Sequence, residues 1–332
     1  MSLRGLLRST AFIVAVTVPR PLIAQASSGQ GIPGLAASCS GLTAELVDWC
    51  QELALAGAAI HRATGLASSL GSDIPGTPST LGRRLGSVPR VGFSLSGVGA
   101  RVGIPDVRRG DGVAATPQET FTLVGLRAGV AVGAVPGFQL APQIGGVLSI
   151  DGVATYAYSR LPSGAGFAGS ASGLGLGARV GVIRESFTLP GVSVSVMKHW
   201  PGGAELGSVD PGGAGQVNVD GSVTSVRATV GKNLFALGLM AGAGWDRYEG
   251  DVGIEARVAD PLGGTFSGSA QGEITTERMV YFASGWYTFL VYQISAEIGL
   301  ADGFDDPFTS RSGGFRPSDR NVFGSLAFRI TL

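Results

Sequence analysis

The sequence predicts an all-β membrane fold: a ten-stranded, antiparallel transmembrane β-barrel preceded by a short helical extension. Three observations carry that expectation. Charged residues make up 14% of the chain and glycine fills 55 of its 332 positions, against about a quarter and about 7% in ordinary soluble domains; mean hydropathy is positive. Beyond the N-terminus no run of about 18 apolar residues occurs, so a spanning helix cannot be built. Instead, from Arg90 onward, apolar residues alternate with small or polar ones at the two-residue period of a strand. Lipid offers no water to unpaired backbone groups, and besides the helix only a closed barrel satisfies them all.

Residues 1–26 read as an export signal. Arg4 and Arg8 precede a short apolar run, AFIVAVTV (11–18), and AQA (24–26) supplies small residues around a cleavage point. Eight apolar residues followed by Pro19, Arg20 and Pro21 are too few to span. Loss of this segment removes three arginines and no acid, so 24 basic residues become 21 against 24 acidic ones, a net charge of about −3. That balance argues against a nucleic-acid surface.

Residues 27–89 form the extension. Cys39 and Cys50 are an even pair in an exported chain, which predicts a disulfide. GLTAELVDWCQELALAGAAIHRATGLASSL (41–70) is the one convincing helix, with Leu46, Trp49, Cys50, Leu53 and Gly57 on one stripe. Such a helix either packs beneath the main domain or enters it as a plug; the stripe favours the first. Residues 72–89 read as a Pro/Gly linker.

Residues 90–332 form the barrel, with strands near 90–104, 120–134, 139–159, 169–187, 191–200, 217–231, 234–248, 272–285, 288–301 and 320–332. Short breaks at 135–137, 189–191, 231–233 and 285–288 alternate with longer polar ones at 105–118, 160–168, 201–216, 249–271 and 302–319. Tight turns at one end and longer loops at the other are the asymmetry of a bacterial barrel, and ten is an even number. In GLGLGARVGV (173–182) and GVSVSV (191–196), Leu, Ala and Val share the face expected to meet lipid. Glycine and serine share the face expected to line a narrow lumen.

The last segment, NVFGSLAFRITL, places Val322, Gly324, Leu326, Phe328, Ile330 and Leu332 on one face and Asn321, Ser325, Arg329 and Thr331 on the other. This pattern resembles the C-terminal assembly signal of Gram-negative outer-membrane β-barrels, though it finishes on leucine rather than phenylalanine. The resemblance implies an outer-membrane location, contact with membrane lipids and lipopolysaccharide, and recognition of 321–332 by barrel-assembly machinery. The extension would then be periplasmic or in the lumen.

Aromatic residues gather at strand ends, as an interfacial belt should. Trp200, Trp245 and Tyr248 fall at the long-loop side; Phe187, Phe235, Trp286, Tyr287 and Phe289 fall at the turn side. One arginine recurs in every second strand: Arg127, Arg179, Arg227, Arg278 and Arg329, at intervals of 48 to 52 residues. Parity puts all but Arg278, whose parity is ambiguous, on the small-residue face. A charge facing lipid would cost about 2–4 kcal/mol, which also favours the lumen. Glu297 is the expected counter-ion, with Asp246 and Asp151 as further acids. The ladder either selects anions or fills the lumen with paired charges, and the second is the expectation.

Catalysis finds thin support. His199 and Asp246 fall near the outer ends of their strands, and ten-stranded outer-membrane proteases carry histidine and aspartates at that rim. Acid–base work would need the pair in hydrogen-bond reach. Glycine-rich runs such as GLGLGAR continue as strands rather than opening a helix, so they are not phosphate loops, and no cofactor is implied. Ten strands lie between filled eight-stranded barrels and open sixteen-stranded porins. The expected function is therefore a structural or surface-displayed barrel, or a narrow conduit for small solutes. A secreted β-sandwich adhesin is the soluble alternative; it would need charges where Val, Leu and Ala face outward.

Overall fold

The computed structural model describes residues 32–38, 44–84, 88–105, 118–140, 145–161, 167–168, 170–208, 215–259, 265–304 and 316–332. The export segment 1–26 and Cys39 lie outside these residues. Two helices come first, α1 (Ile32–Ser38) and α2 (Ala44–Ser69). Ten long strands follow: β1 (Val91–Pro105), β2 (Gln118–Val135), β3 (Ser149–Arg160), β4 (Ser170–Ile183) and β5 (Gly191–Pro201). The second half comprises β6 (Gly215–Leu234), β7 (Leu237–Ala259), β8 (Thr265–Phe289), β9 (Tyr292–Ala301) and β10 (Asn321–Thr331).

Each strand pairs antiparallel with the next, and β10 closes on β1 from Phe323↔Ala100 to Thr331↔Gly92. Where all ten strands are paired, closure leaves no free edge; beyond that, β8 residues Thr265–Arg278 pair with β7 only, among the described residues. The expected ten-stranded barrel is therefore the observed one. Its third strand starts at Ser149 rather than 139, because Phe138 bridges to Val147 and Leu148 turns the chain at a φ of 57°.

The larger departure lies at 249–271, expected to be a long polar loop. Here β7 continues to Ala259 and β8 begins at Thr265, giving strands of 23 and 25 residues. Crossing a bilayer takes about 9–11 tilted residues, so these strands have a second storey. The pattern of their faces shows why. The outward row of β7 runs Leu237, Leu239, Ala241, Ala243, Trp245 and then changes to Arg247, Glu249, Asp251, Glu255, Arg257. The inward row changes the other way, from Asp246 to buried Tyr248, Val252, Ile254 and Ala256. On β8, outward Tyr287, Ala283 and Tyr281 likewise give way to Glu277, Thr275, Glu273 and Gln271. The barrel has an apolar outer band at its turn end and a charged outer wall with an apolar interior at its loop end.

That interior is occupied. Along α2, Leu53, Ala54, Leu55, Ala56, Ala58, Ala59 and Ile60 are all buried, so no side of this stretch of about two turns faces solvent. A helix apolar all round belongs inside a core, and α2 lies within the barrel, packed chiefly on β6, β7 and β1. Val98, Val102, Ile104, Phe121, Leu123, Val217 and Ile274 join it in one core. The expectation that the helix packs beneath the barrel is thus corrected: it is a plug. Its stripe of Leu46, Trp49 and Cys50 belongs to its first turns, whereas the run LALAGAAI that follows has no polar face at all.

Small residues set how closely the plug approaches. A Cβ on Gly57 would stand 2.6 Å from a Val252 methyl, and one on Gly65 would stand 2.4 Å from the Tyr248 ring. His61 lies on the same face, four residues from each. It fits a notch made by the cross-strand pair Gly221 and Gly250, where an added Cβ would come within 2.6 and 2.9 Å of its ring.

Candidate functional site

The helix ends on Leu70 and Gly71, whose φ of 63° is the left-handed conformation that closes helices. From there the linker descends through the turn-end half of the lumen, and the arginine ladder holds it. Arg227 donates to the Ser69 carbonyl at 2.9 Å and to that of Gly71 at 3.3 Å. Arg127 donates to the carbonyls of Leu70 and Ser72 at 2.7 and 3.0 Å. Two buried guanidiniums therefore cap the last carbonyls of α2, where unpaired acceptors and the negative end of the helix dipole gather. Lower down, Arg179 donates to the carbonyls of Thr77 and Ser79 at 2.6 and 2.7 Å and to the Ser193 hydroxyl at 3.0 Å.

Other wall residues complete the grip. Glu297 accepts from the Ser72 amide at 3.1 Å, Gln293 donates to the Gly76 carbonyl at 2.6 Å, and Asp151 accepts from the Leu81 amide at 2.8 Å. The Ser195 hydroxyl donates to Asp73. The small lumen face thus has a cause beyond narrowness: the chain's own linker lies against it. A Cβ on Gly191 would meet the Ser79 hydroxyl at 2.3 Å, and one on Gly181 would stand 3.1 Å from that of Thr80.

Arg127, Arg179, Arg227 and Arg329 face inward as expected, and Arg278, whose parity was ambiguous, joins them. The principal counter-ion is not Glu297, whose carboxylate is turned to the linker. Asp246 takes that place, 2.6 Å from Arg227 and 3.7 Å from Arg278. It also accepts from the Tyr248 hydroxyl at 3.0 Å and the Ser69 hydroxyl at 3.4 Å. Arg278 lies 4.6 Å from the Tyr248 ring centre and donates to its hydroxyl. Asp246 therefore ties three wall strands to the end of the plug. Sequence could place these residues on one face, but not choose among the acids.

Two members of the aromatic belt are corrected. Tyr248 is 0% exposed, and Trp286 is 3% exposed with its indole N–H on Asn233 at 2.8 Å. Both share parity with inward neighbours, Asp246 and Ser284. Trp200 and Tyr287 do face outward, as do Phe187, Phe235 and Phe289. Trp245 lies on the outward row where it turns from apolar to charged. The rim pair is also corrected: His199 is buried, with its Nε2 3.4 Å from the Ser225 hydroxyl, and Asp246 is committed to arginines. No hydrogen bond joins the two among the described residues.

His61 stands above the apolar band, beside outward-facing Asp220 and Asp251. Burial holds its pKa down to about 4; Asp220 opposes that shift and Arg62 adds to it. A free histidine protonates near 6.5, so the unfolded chain takes up the proton first as pH falls. The neutral ring's contribution is whole above about pH 6.5 and is lost between there and about pH 4. Micellar unfolding experiments should show stability falling across that window, and His61→Gln should flatten this part of the profile. An unchanged profile in the variant would assign the titration elsewhere.

A scan against protein-family models finds no match, and a search of curated proteins finds none either. Among solved structures, the chain is similar to the translocator domain of the autotransporter NalP from Neisseria meningitidis, at 12% identity over 74% of this chain and 88% of that one, with a TM-score of 0.39. It is similar to the outer membrane protease OmpT from Escherichia coli at 11% identity over 74% and 96%, with a TM-score of 0.35. The attachment invasion locus protein Ail of Yersinia pestis matches at 8% identity over 74% and 99%, with a TM-score of 0.27.

Proposed function

We propose that the protein is an integral outer-membrane barrel sealed by its own N-terminal helix and linker, serving as a structural or surface-displayed element rather than an open pore. The observation that supports this reading is the occupied lumen: α2 fills the loop-end half, and residues 70–81 fill the turn-end half. The apolar outer band supports contact with membrane lipid. Above it, the charged wall of β6–β8 stands where lipopolysaccharide headgroups and water would meet it. The closing strand β10 is the segment that assembly machinery would read. In this arrangement Arg127, Arg179 and Arg227 fasten the plug and its linker, and the ladder lines no ion-conducting path.

Planar-bilayer recording tests the reading. The wild-type chain, reconstituted from detergent, should give no resolved single-channel steps. Steady unitary currents from the wild type would establish a conduit for small solutes in its place.

A further inference from the structure

Where the linker leaves the lumen, a cavity of about 490 Å³ lies between residues 77–83 and the ends of β9 and β10. That volume suits a small ligand. Arg329 reaches it from the wall, in the inward row with its register partners Gln293 and Ser94. The other four arginines of the ladder each hold an acceptor. The same two guanidinium atoms, Nε and Nη1, are closed off from solvent without a hydrogen-bond partner in Arg278 and Arg329. Arg278 still has the Tyr248 hydroxyl and Asp246 at 3.7 Å, whereas Arg329 has neither a hydrogen bond nor an ion pair among the described residues. The acceptor Oε1 of Gln293 beside it is likewise unpartnered.

Nearby charges do not neutralise it. Arg179 and Asp151 are the ionised groups that bear on Arg329. Arg179 is committed to the linker, and Asp151 turns one oxygen to the Leu81 amide. Arg83, Arg90 and Arg184 line the same cavity against a single acid, Glu185, whose two oxygens both accept from Asn233. A buried cation left without an acceptor is costly, and an anion relieves that cost through charge-assisted hydrogen bonds.

We propose that this vestibule binds a small soluble anion carrying a carboxylate or phosphate group, anchored by Arg329 and drawn in by Arg83, Arg90 and Arg184. The barrel wall separates the cavity from the bilayer, so the ligand comes from solution rather than from a lipid headgroup. Arginine suits the task because its charge persists at any physiological pH and its donors match carboxylate and phosphate oxygens.

Isothermal titration of the full chain in zwitterionic micelles at low salt, with inorganic phosphate and with citrate as probes, tests the site. At least one probe should bind saturably, and Arg329→Gln should weaken that binding by ten-fold or more. Arg329→Lys should fall between them, and Arg184→Gln should cost a few-fold. Arg101→Gln, at the opposite end of the barrel, should bind as the wild type does. Thermal unfolding guards against a folding artefact: Arg329→Gln should melt no lower than the wild type without anion, and the bound probe should raise the melting temperature of the wild type alone. Absence of saturable binding by both probes, or undiminished binding in Arg329→Gln, would overturn the proposal.

Discussion

Asp246→Asn should lower the stability of the folded barrel by about 3–5 kcal/mol, the usual cost of removing one partner from a buried ion pair. The size follows from what the carboxylate holds. It neutralises Arg227 at 2.6 Å and faces Arg278 at 3.7 Å, and both arginines are buried in the lumen. Asparagine preserves the shape but leaves two cations with no ionised partner within 4 Å among the described residues. Arg227 also caps α2 through Ser69, so the loss should reach the plug. Equilibrium unfolding in urea, in micelles, reads the effect. Glu297→Gln is the informative control, because Glu297 accepts from the Ser72 amide and the glutamine can still offer a carbonyl oxygen. Its cost should be clearly smaller. Equal costs for the two variants would mean that Asp246 is not the hub of the network.

The second large effect is expected from Gly65→Leu. A Cβ at this position would lie 2.4 Å from the Tyr248 ring and 2.7 Å from a Val223 methyl. A leucine would demand far more room than a close-packed interior yields. Val223 and Tyr248 face each other across the β6–β7 pair, and each strand is also bonded to its other neighbour, so the wall cannot step back locally and the helix must give way. Displacing it opens the loop-end half of the lumen and drags the linker from its arginines. Planar bilayers should then show unitary current steps where the wild type is silent. Ser222→Leu is a suitable comparison, since Ser222 lies on the outward row of β6, away from the plug. A Gly65→Leu protein as silent and as stable as the wild type would show that α2 does not close the lumen.

The ladder and the belt show how far local pattern carries. Parity placed four arginines inside the barrel, and all four are there, because the two-residue period of a strand is a property of neighbouring residues. Tyr248 and Trp286 obey the same parity. Their position near strand ends suggests the outer belt, but the face they occupy turns them into the lumen. The segment 249–271 differs from the expected loop for a related reason. Glu249, Asp251, Glu255 and Arg257 looked like a polar loop when counted together, yet Val252, Ile254 and Ala256 alternate with them. Alternation was present; its polarity had inverted, with water outside and a helix within.

Strand number, antiparallel order, the closing role of β10 and four of the inward arginines are legible in the chain alone, since each follows from alternation, turn spacing or the cost of a charge in lipid. That α2 enters the barrel, that Asp246 rather than Glu297 is the central acid, and that Arg127, Arg179 and Arg227 grip the chain's own linker emerge only once the chain is folded. Those contacts join residues as far apart as Ser69 and Arg227, 158 positions along the chain. A strand's period tells which way a side chain points, but not what will be standing in front of it. In this lumen that is a segment of the same chain, and no pattern local to either partner records the meeting.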